Sequence, residues 1–182
     1  MTFEKTVTLK DGRNCLLRNG VTSDGKAVLD VFNRTHEETD YLLTYSDENR
    51  FTASQEADFL QRKTDSANNV EIIAVVDDVV AGTAGIDALG MRDKIKHRAV
   101  FGIAITKEFW ELGIGKYLME ACIECAREAG YLQLELEVVA ENERAVEMYK
   151  RAGFIEYGRN PKAFRLRTGE YQELIDMRLE LK

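Results

Sequence analysis

Two glycines between an apolar run and an amphipathic pattern constrain the fold of this chain most. The run Ala99–Ile105 is unbroken and apolar, which predicts a strand buried on both faces. Trp110–Lys116 follows and reads WELGIGK. After it, apolar residues recur at the three-and-four spacing of a helix with one apolar stripe: Ile114, Tyr117, Leu118, Ala121, Cys122 and Cys125. Gly113 and Gly115 therefore open a helix directly after a strand and a short loop.

A helix that opens on glycines brings bare backbone close to an anion. The first turn of a helix has unpaired N–H groups and a partial positive charge, so a phosphate-bearing ligand is its natural occupant. A flexible helix start explains the same two glycines, and this motif alone leaves both interpretations open. A Rossmann dinucleotide site is disfavoured, because Tyr117 and Leu118 follow Gly115 where the fingerprint GxGxxG needs a third glycine.

A second motif follows about thirty residues later. Leu132–Val139 alternates apolar and polar residues, which predicts a strand. Asn142 is a good N-cap for the next helix. Gly153 followed by Phe154 is typical of a glycine stop with its hydrophobic contact. The sequence thus predicts the order strand, glycine-rich turn, helix, strand, Asn-capped helix and Gly-Phe.

This order resembles the GNAT superfamily, the Gcn5-related N-acetyltransferases. The resemblance is close from Arg98 to Gly158 and looser over the rest of the chain. It implies the GNAT acyl-CoA N-acyltransferase fold, a mixed α/β (α+β) architecture. In that fold a twisted, mostly antiparallel sheet is flanked by helices, and its central parallel strands splay apart. We expect residues 1–182 to form a single domain of this kind.

The resemblance implies an acetyl-CoA site built largely from main chain. One strand lends hydrogen bonds to the pantetheine arm, and the amides of the motif Q/R-x-x-G-x-G/A cradle the pyrophosphate. The positions that match are Ile103, Ala104, Ile105, Glu111, Leu112, Gly113, Ile114, Gly115, Lys116 and Asn142. The first motif position, often Gln or Arg, is Trp110 here. Since the contacts at that loop are mostly main-chain, we expect binding to survive this change. No metal is expected.

Acetyl transfer to an amine needs proton removal from the amine, a donor for the developing oxyanion, and a proton for the leaving thiolate. The resemblance places Tyr149 near the thioester sulfur as general acid, and a phenol suits that role. It also suggests a backbone N–H near Ile105 as the oxyanion donor. The alternative interpretation of Tyr149 is an aromatic packed on the inner face of its helix.

Glu137, near the end of its predicted strand, is the candidate base. In GNAT members that acetylate ribosomal-protein N-termini, a Glu at the matching position serves as base. Burial there would make the carboxylate a better proton acceptor. Two alternatives stay open: Glu135 and Glu137 form a polar strand face, or ordered water takes the proton. His36 and His97 lie in polar segments and are expected at the surface.

The net charge, the apolar runs and the cysteines limit which classes of partner and which cellular compartment we expect. The net charge of −7 argues against a nucleic-acid binder and suits an amine acceptor slightly. We expect no membrane partner, because nowhere do eighteen apolar residues run together and the N-terminal residues lack an apolar targeting segment. Cys122 and Cys125 lie on the apolar stripe of one helix, which favours core residues over a zinc site. With Cys15 they predict reduced thiols in a cytoplasmic protein, and a homodimer is left open.

The sequence therefore predicts an acetyl-CoA-dependent N-acetyltransferase that uses direct transfer to the primary amine of a small molecule or peptide. The acceptor stays open among small amines, amino acids and protein N-termini. The sequence also predicts a helix through Ala27 and Phe32 and another over Thr52–Lys63. Candidates to meet the ammonium lie in the segment His36–Phe51 between them: Glu37, Glu38, Asp40 and Tyr45. Arg165 and Arg167 would instead suit an acidic substrate. The alternative function is a catalytically silent acyl-CoA sensor or partner-binding module, and the presence of Asn142 and Tyr149 favours the enzyme.

Overall fold

The computed structural model describes residues 1–181 and shows one mixed sheet flanked by helices. The strands are β1 (Glu4–Thr8), β2 (Asn14–Asn19), β3 (Val70–Val76), β4 (Val79–Ala88), β5 (Arg98–Ile105), β6 (Gln133–Val139), β7 (Ile155–Arg165) and β8 (Tyr171–Glu180). Their order is β1-β2-β3-β4-β5-β6-β8-β7. The helices are α1 (Gly25–Glu38), α2 (Ala53–Asp65), α3 (Ile114–Glu128) and α4 (Glu143–Arg151). Among residues 1–181, no helix combines the length and apolar character needed to cross a bilayer.

The centre of the sheet opens between β5 and β6. These two strands are parallel, whereas every other neighbouring pair is antiparallel. They pair only from Arg98↔Gln133 to Val100↔Glu135. Beyond Val100, β5 stays with β4 and β6 stays with β8. The gap between them confirms the expected mostly antiparallel sheet with splayed parallel strands.

The helices cover the two faces of the sheet unequally. On one face α3 buries its apolar stripe, with Leu118 and Cys122 fully inaccessible. On the other face α1 and α2 form a smaller core, which contains Val28, Val31, Leu60, Ile73 and Val80. The elements that these two helices contact include β3, β4 and β5.

The expectation that β5 is buried on both faces is wrong. Phe101 is buried on the α3 face, but Val100 is 40% exposed and Gly102 is also exposed. These residues alternate along β5, so they point to the face that carries α1 and α2. That face is therefore open beside the gap.

The predicted helix boundaries follow from their caps. The Asn142 side chain accepts a hydrogen bond from the Ala145 N–H at 3.3 Å and so caps α4 as expected. Gly153 ends the same helix with φ +98°, a left-handed conformation that favours glycine. Together these two signals fix where α4 starts and stops beside the gap.

All three cysteines are free and buried, and their exposed fractions are 0% for Cys15, 0% for Cys122 and 1% for Cys125. Burial raises the pKa of the Cys15 thiol to about 11 and that of Cys125 to about 12. The interpretation of the C-x-x-C spacing as core packing is therefore confirmed.

Candidate active site

A cavity of about 1250 Å³ occupies the gap between β5 and β6. It is lined by β5, by the turn that follows β5, by β6, by α4 and by the end of α1. Most residues with a predicted role lie along it: Ile103, Ala104, Ile105, Glu111, Gly113, Ile114, Gly115, Lys116, Glu137, Asn142 and Tyr149. Leu112 lies outside this lining, and its carbonyl accepts a hydrogen bond from the Lys10 N–H at 3.2 Å.

The turn before α3 presents backbone amides to the cavity. Glu111 and Gly113 both have positive φ, +67° and +96°, an uncommon conformation for a glutamate. Gly113 is the N-cap and offers no side chain to the helix. The first amides of α3, from Ile114 to Lys116, therefore have no partner within the helix. They lie beside the cavity with the positive end of the helix dipole.

Basic side chains surround the same end of the cavity. Lys10, Lys116 and Arg144 all line it. The guanidinium of Arg144 lies 4.7 Å from the centre of the Trp110 ring and 3.4 Å from a Glu111 carboxylate oxygen. These cations and the free amides of α3 fit the diphosphate of a coenzyme A thioester. Sequence reasoning missed Lys10 and Arg144, because nothing in their local pattern indicates that they meet at this turn.

Trp110 has a structural role at the position where the family motif often has Gln or Arg. Its indole Nε1–H donates a hydrogen bond to the Ile105 carbonyl at 2.7 Å. This bond closes the end of β5 onto the turn. Lys107 and Arg144 both lie within 6 Å of the centre of its ring. The aromatic side chain thus holds the strand end and the basic residues in one arrangement.

Tyr149 lies on α4 at the inner side of the cavity and is 6% exposed. Its ring makes an edge contact with Phe101 of β5, with 6.2 Å between the ring centres. Burial raises the pKa of the Tyr149 phenol well above its ordinary range. The hydroxyl therefore keeps its proton at neutral pH, as a general acid must before it acts.

Glu137 lies on β6 directly beside the gap and lines the cavity. Its side chain is exposed, so the burial considered from the sequence is not found at this position. The physical reason is the separation of β5 from β6, which leaves β6 without a neighbour on that side. Two residues earlier, Glu135 is 8% exposed and forms a close ion pair with Arg98. Glu135 and Glu137 thus form a polar face of β6, as one alternative interpretation expected. Of these two carboxylates, only Glu137 lines the cavity.

The far end of the cavity lies under the segment between α1 and α2. Residues of this segment, of α1 and of the last two strands line it: Thr35, Thr39, Tyr41, Leu42, Leu43, Phe164 and Leu174. Arg167 ties this segment to the β7–β8 turn. Its guanidinium contacts Asp47 at 2.7 Å and lies 4.0 Å from the centre of the Tyr45 ring. This end of the cavity therefore mixes apolar side chains with hydroxyls.

Several polar residues that the sequence suggested for the acceptor have protein partners instead. Arg167 pairs with Asp47. Glu38 accepts the Lys107 N–H at 2.6 Å and pairs with Arg34. The expectation of a surface His36 is also wrong, because its half-buried ring stacks on Phe32 with 3.8 Å between the ring centres. Within residues 1–181, no three His, Cys, Asp or Glu side chains come together as metal ligands.

Comparison with known proteins gives a consistent assignment. The sequence model of the acetyltransferase (GNAT) family matches residues 30–154. The L-amino acid N-acetyltransferase AaaT of Escherichia coli K12 is 32% identical over 118 residues, which cover 64% of this chain and 72% of AaaT.

Solved structures agree over nearly the whole chain. A GNAT-family acetyltransferase from Streptococcus pneumoniae superposes with a TM-score of 0.87 at 27% identity, covering 91% of this chain and 99% of its own. The protein yncA of Salmonella typhimurium, solved with its cofactor acetyl-CoA, gives a TM-score of 0.82 at 16% identity. That comparison covers 93% of this chain and 95% of yncA and shows a shared fold.

Proposed function

The chain belongs to the acetyltransferase (GNAT) family, and on that premise we propose that it transfers the acetyl group of acetyl-CoA directly to a primary amine. The observation that carries this proposal is the cavity between the splayed strands. One end of it offers unpaired amides and cations, and Tyr149 and Glu137 line the same space. We propose an amino acid as the first acceptor class to test, since AaaT is an L-amino acid N-acetyltransferase.

The residues divide into a donor end and an acceptor end. The amides from Ile114 to Lys116, with Lys10 and Arg144, hold the diphosphate of acetyl-CoA. The thioester supplies an activated acetyl group. We propose that the β5 backbone from Ile103 to Ile105 binds the pantetheine arm and supplies an N–H to the carbonyl oxygen as negative charge develops on it.

Two side chains handle the protons. Tyr149 donates its phenolic proton to the leaving sulfur, and its burial keeps that proton in place until then. Glu137 receives the ammonium of the acceptor at the gap. The amine then loses its proton either to Glu137 or to ordered water, and neither route needs a covalent enzyme intermediate.

The proposal also places the enzyme in the cytoplasm. Support comes from the three buried thiols, which are free rather than paired in disulfides.

The decisive experiment measures release of free thiol from acetyl-CoA across a panel of primary amines. The panel contains amino acids with apolar, polar, acidic and basic side chains, simple alkylamines, polyamines and short peptides. We expect turnover with at least one amino acid, and mass spectrometry of the product should show one acetyl group on nitrogen. Binding of acetyl-CoA without turnover on any amine would instead favour a silent sensor.

Glu137→Gln should impair the acceptor step selectively. We expect kcat/KM for the amine to fall roughly threefold to tenfold, because the ammonium loses its ionic partner. The Kd for acetyl-CoA should not change. Steady-state kinetics with varied amine and calorimetry with acetyl-CoA check both numbers.

Asp176→Asn is the matched control, because Asp176 lies directly opposite Glu137 in the register of the antiparallel strands β6 and β8. It removes the same charge from the neighbouring strand, outside the cavity lining. Equal losses in the two variants would show that net charge rather than the position of Glu137 matters.

A further inference from the structure

A second carboxylate lies near the gap, on the β5 side, whereas Glu137 lies on the β6 side. Glu71 of β3 pairs with Gly85 of β4, and Gly85 pairs in turn with Gly102 of β5. All three positions point to the face that carries α1 and α2, since their neighbours along each strand pack against α3. Only two glycines therefore separate Glu71 from the cavity.

The first glycine makes room for the Glu71 side chain. A Cβ on Gly85 would collide with the Glu71 carboxylate. The carboxylate thus lies over β4 and is displaced from its own strand towards β5. Any larger residue at position 85 would push it away from the gap.

The second glycine leaves open space between this carboxylate and the cavity. A Cβ on Gly102 would meet no atom within 4 Å, and Gly102 lines the cavity. Neighbouring strands lie about 4.8 Å apart, so the Glu71 carboxylate is roughly one strand spacing from the space above Gly102. One water molecule with hydrogen bonds of about 2.8 Å on each side spans that distance.

Several charged or titratable groups lie around Glu71. From α2 come Lys63 and Glu56, from β4 comes Asp87, and from α3 on the opposite side of the sheet comes the neutral thiol of Cys122. The ammonium of Lys63 is held by Asp87 at 2.6 Å and by the Ile86 carbonyl at 3.3 Å. Lys63 therefore neutralises Asp87 first, and Glu71 lacks a dedicated counter-ion.

The surroundings of Glu71 suit proton exchange at neutral pH. Burial raises its pKa to about 7; Asp87 and Glu56 add to this rise, while Lys63 and Thr83 oppose it. The side chain nevertheless stays partly exposed. A carboxylate whose pKa lies near the working pH is an efficient proton acceptor.

We propose that Glu71 receives the proton of the acceptor amine through a water held above Gly102, while Glu137 holds the amine from the other side of the gap. This inference rests on the proposed function, in which ordered water can take the proton of the amine. It identifies Glu71 as the group that receives the proton from that water. The ammonium passes one proton through the water to Glu71. The free amine then forms the C–N bond as the C–S bond breaks. Sulfur takes the Tyr149 proton, and the second proton on nitrogen restores Tyr149.

The test is the pH dependence of kcat at saturating acceptor, which reports groups in the bound complex. In the wild type, kcat should rise with pH through an inflection at about 7, as Glu71 ionises. In Glu71→Gln, kcat above the inflection should fall about fivefold and that inflection should disappear. The Kd for acetyl-CoA should stay unchanged.

Loss of folding will not explain this result. The pKa of Glu71 in the folded protein, about 7, lies above its ordinary value of 4.5. The folded chain therefore binds more protons than the unfolded chain between these values, and wild-type stability falls as pH rises through that window. Glu71→Gln removes this loss, so its thermal unfolding temperature above the inflection should match or exceed that of the wild type.

Glu56→Gln is the matched control, because it makes the same change in the same charged cluster without touching Gly85. It should keep wild-type kcat and shift the inflection slightly lower, since Glu56 raises the pKa of Glu71. An active wild type whose Glu71→Gln variant keeps the inflection overturns this inference alone. If none of the amines supports thiol release by the wild type, the proposed function is overturned, and this inference with it.

Discussion

Tyr149→Phe is expected to lower kcat at least about tenfold while the Kd for acetyl-CoA stays nearly unchanged. The substitution removes the proton donor for the leaving sulfur, a role that typically contributes more than this factor. The ring contact with Phe101, at 6.2 Å between centres, is retained because phenylalanine has the same ring. Single-turnover rates of thiol release and calorimetry with acetyl-CoA separate the chemical step from binding.

Tyr131→Phe is the matched control for that experiment. Tyr131 is buried to a similar degree, with 4% of its surface exposed against 6% for Tyr149, and it lies outside the cavity lining. It should keep the wild-type rate. An unchanged rate in Tyr149→Phe would refute the acid assignment, and equal losses in both variants would point to packing rather than proton transfer.

Gly113→Ala is expected to weaken acetyl-CoA binding at least about tenfold, which corresponds to about 1.4 kcal/mol. An alanine disfavours the φ of +96° at this position by about 1–2 kcal/mol. The turn relaxes in response, and the amides from Ile114 to Lys116 no longer converge on the diphosphate. Calorimetry with acetyl-CoA and with free coenzyme A should show the same loss for both ligands.

Gly130→Ala separates backbone strain from loss of the anion site. Gly130 follows α3 at its other end with φ +80°, and a Cβ there meets no atom within 4 Å. Both variants should lose a similar amount of stability, about 1–2 kcal/mol. Only Gly113→Ala should lose affinity for the coenzyme. Comparable affinity losses in the two would mean that global destabilisation rather than the turn weakens binding.

Local patterns predict the strands and helices on either side of the glycine turn, and the differences from the structure lie where long-range contacts decide. The stripe of α3 and the Asn142 cap of α4 depend on neighbours in the chain, so the sequence reveals them. Strand β1 was not predicted, because Glu4–Thr8 is a mostly exposed edge strand held by β2 alone. The exposure of Val100 was also missed, since it depends on which strands the helices cover.

The candidate site divides in the same way. The glycine turn and Tyr149 belong to motifs with fixed spacing, so the sequence suffices to propose them. Lys10 lies a hundred residues before the turn that it meets. Glu71 reaches the gap only because glycines occupy positions 85 and 102 on two other strands, and no pattern within one segment of the chain indicates that arrangement.

Because Cys15, Cys122 and Cys125 are buried, a colorimetric thiol reagent of the aromatic disulfide type can be used directly on the native enzyme. Such reagents react with accessible thiolates, and these three thiols are at most 1% exposed, with raised pKa values. The absorbance signal during turnover should therefore come from liberated coenzyme with little background. In denaturant the same dye should count three groups for each chain, so one inexpensive assay follows both turnover and loss of the native state.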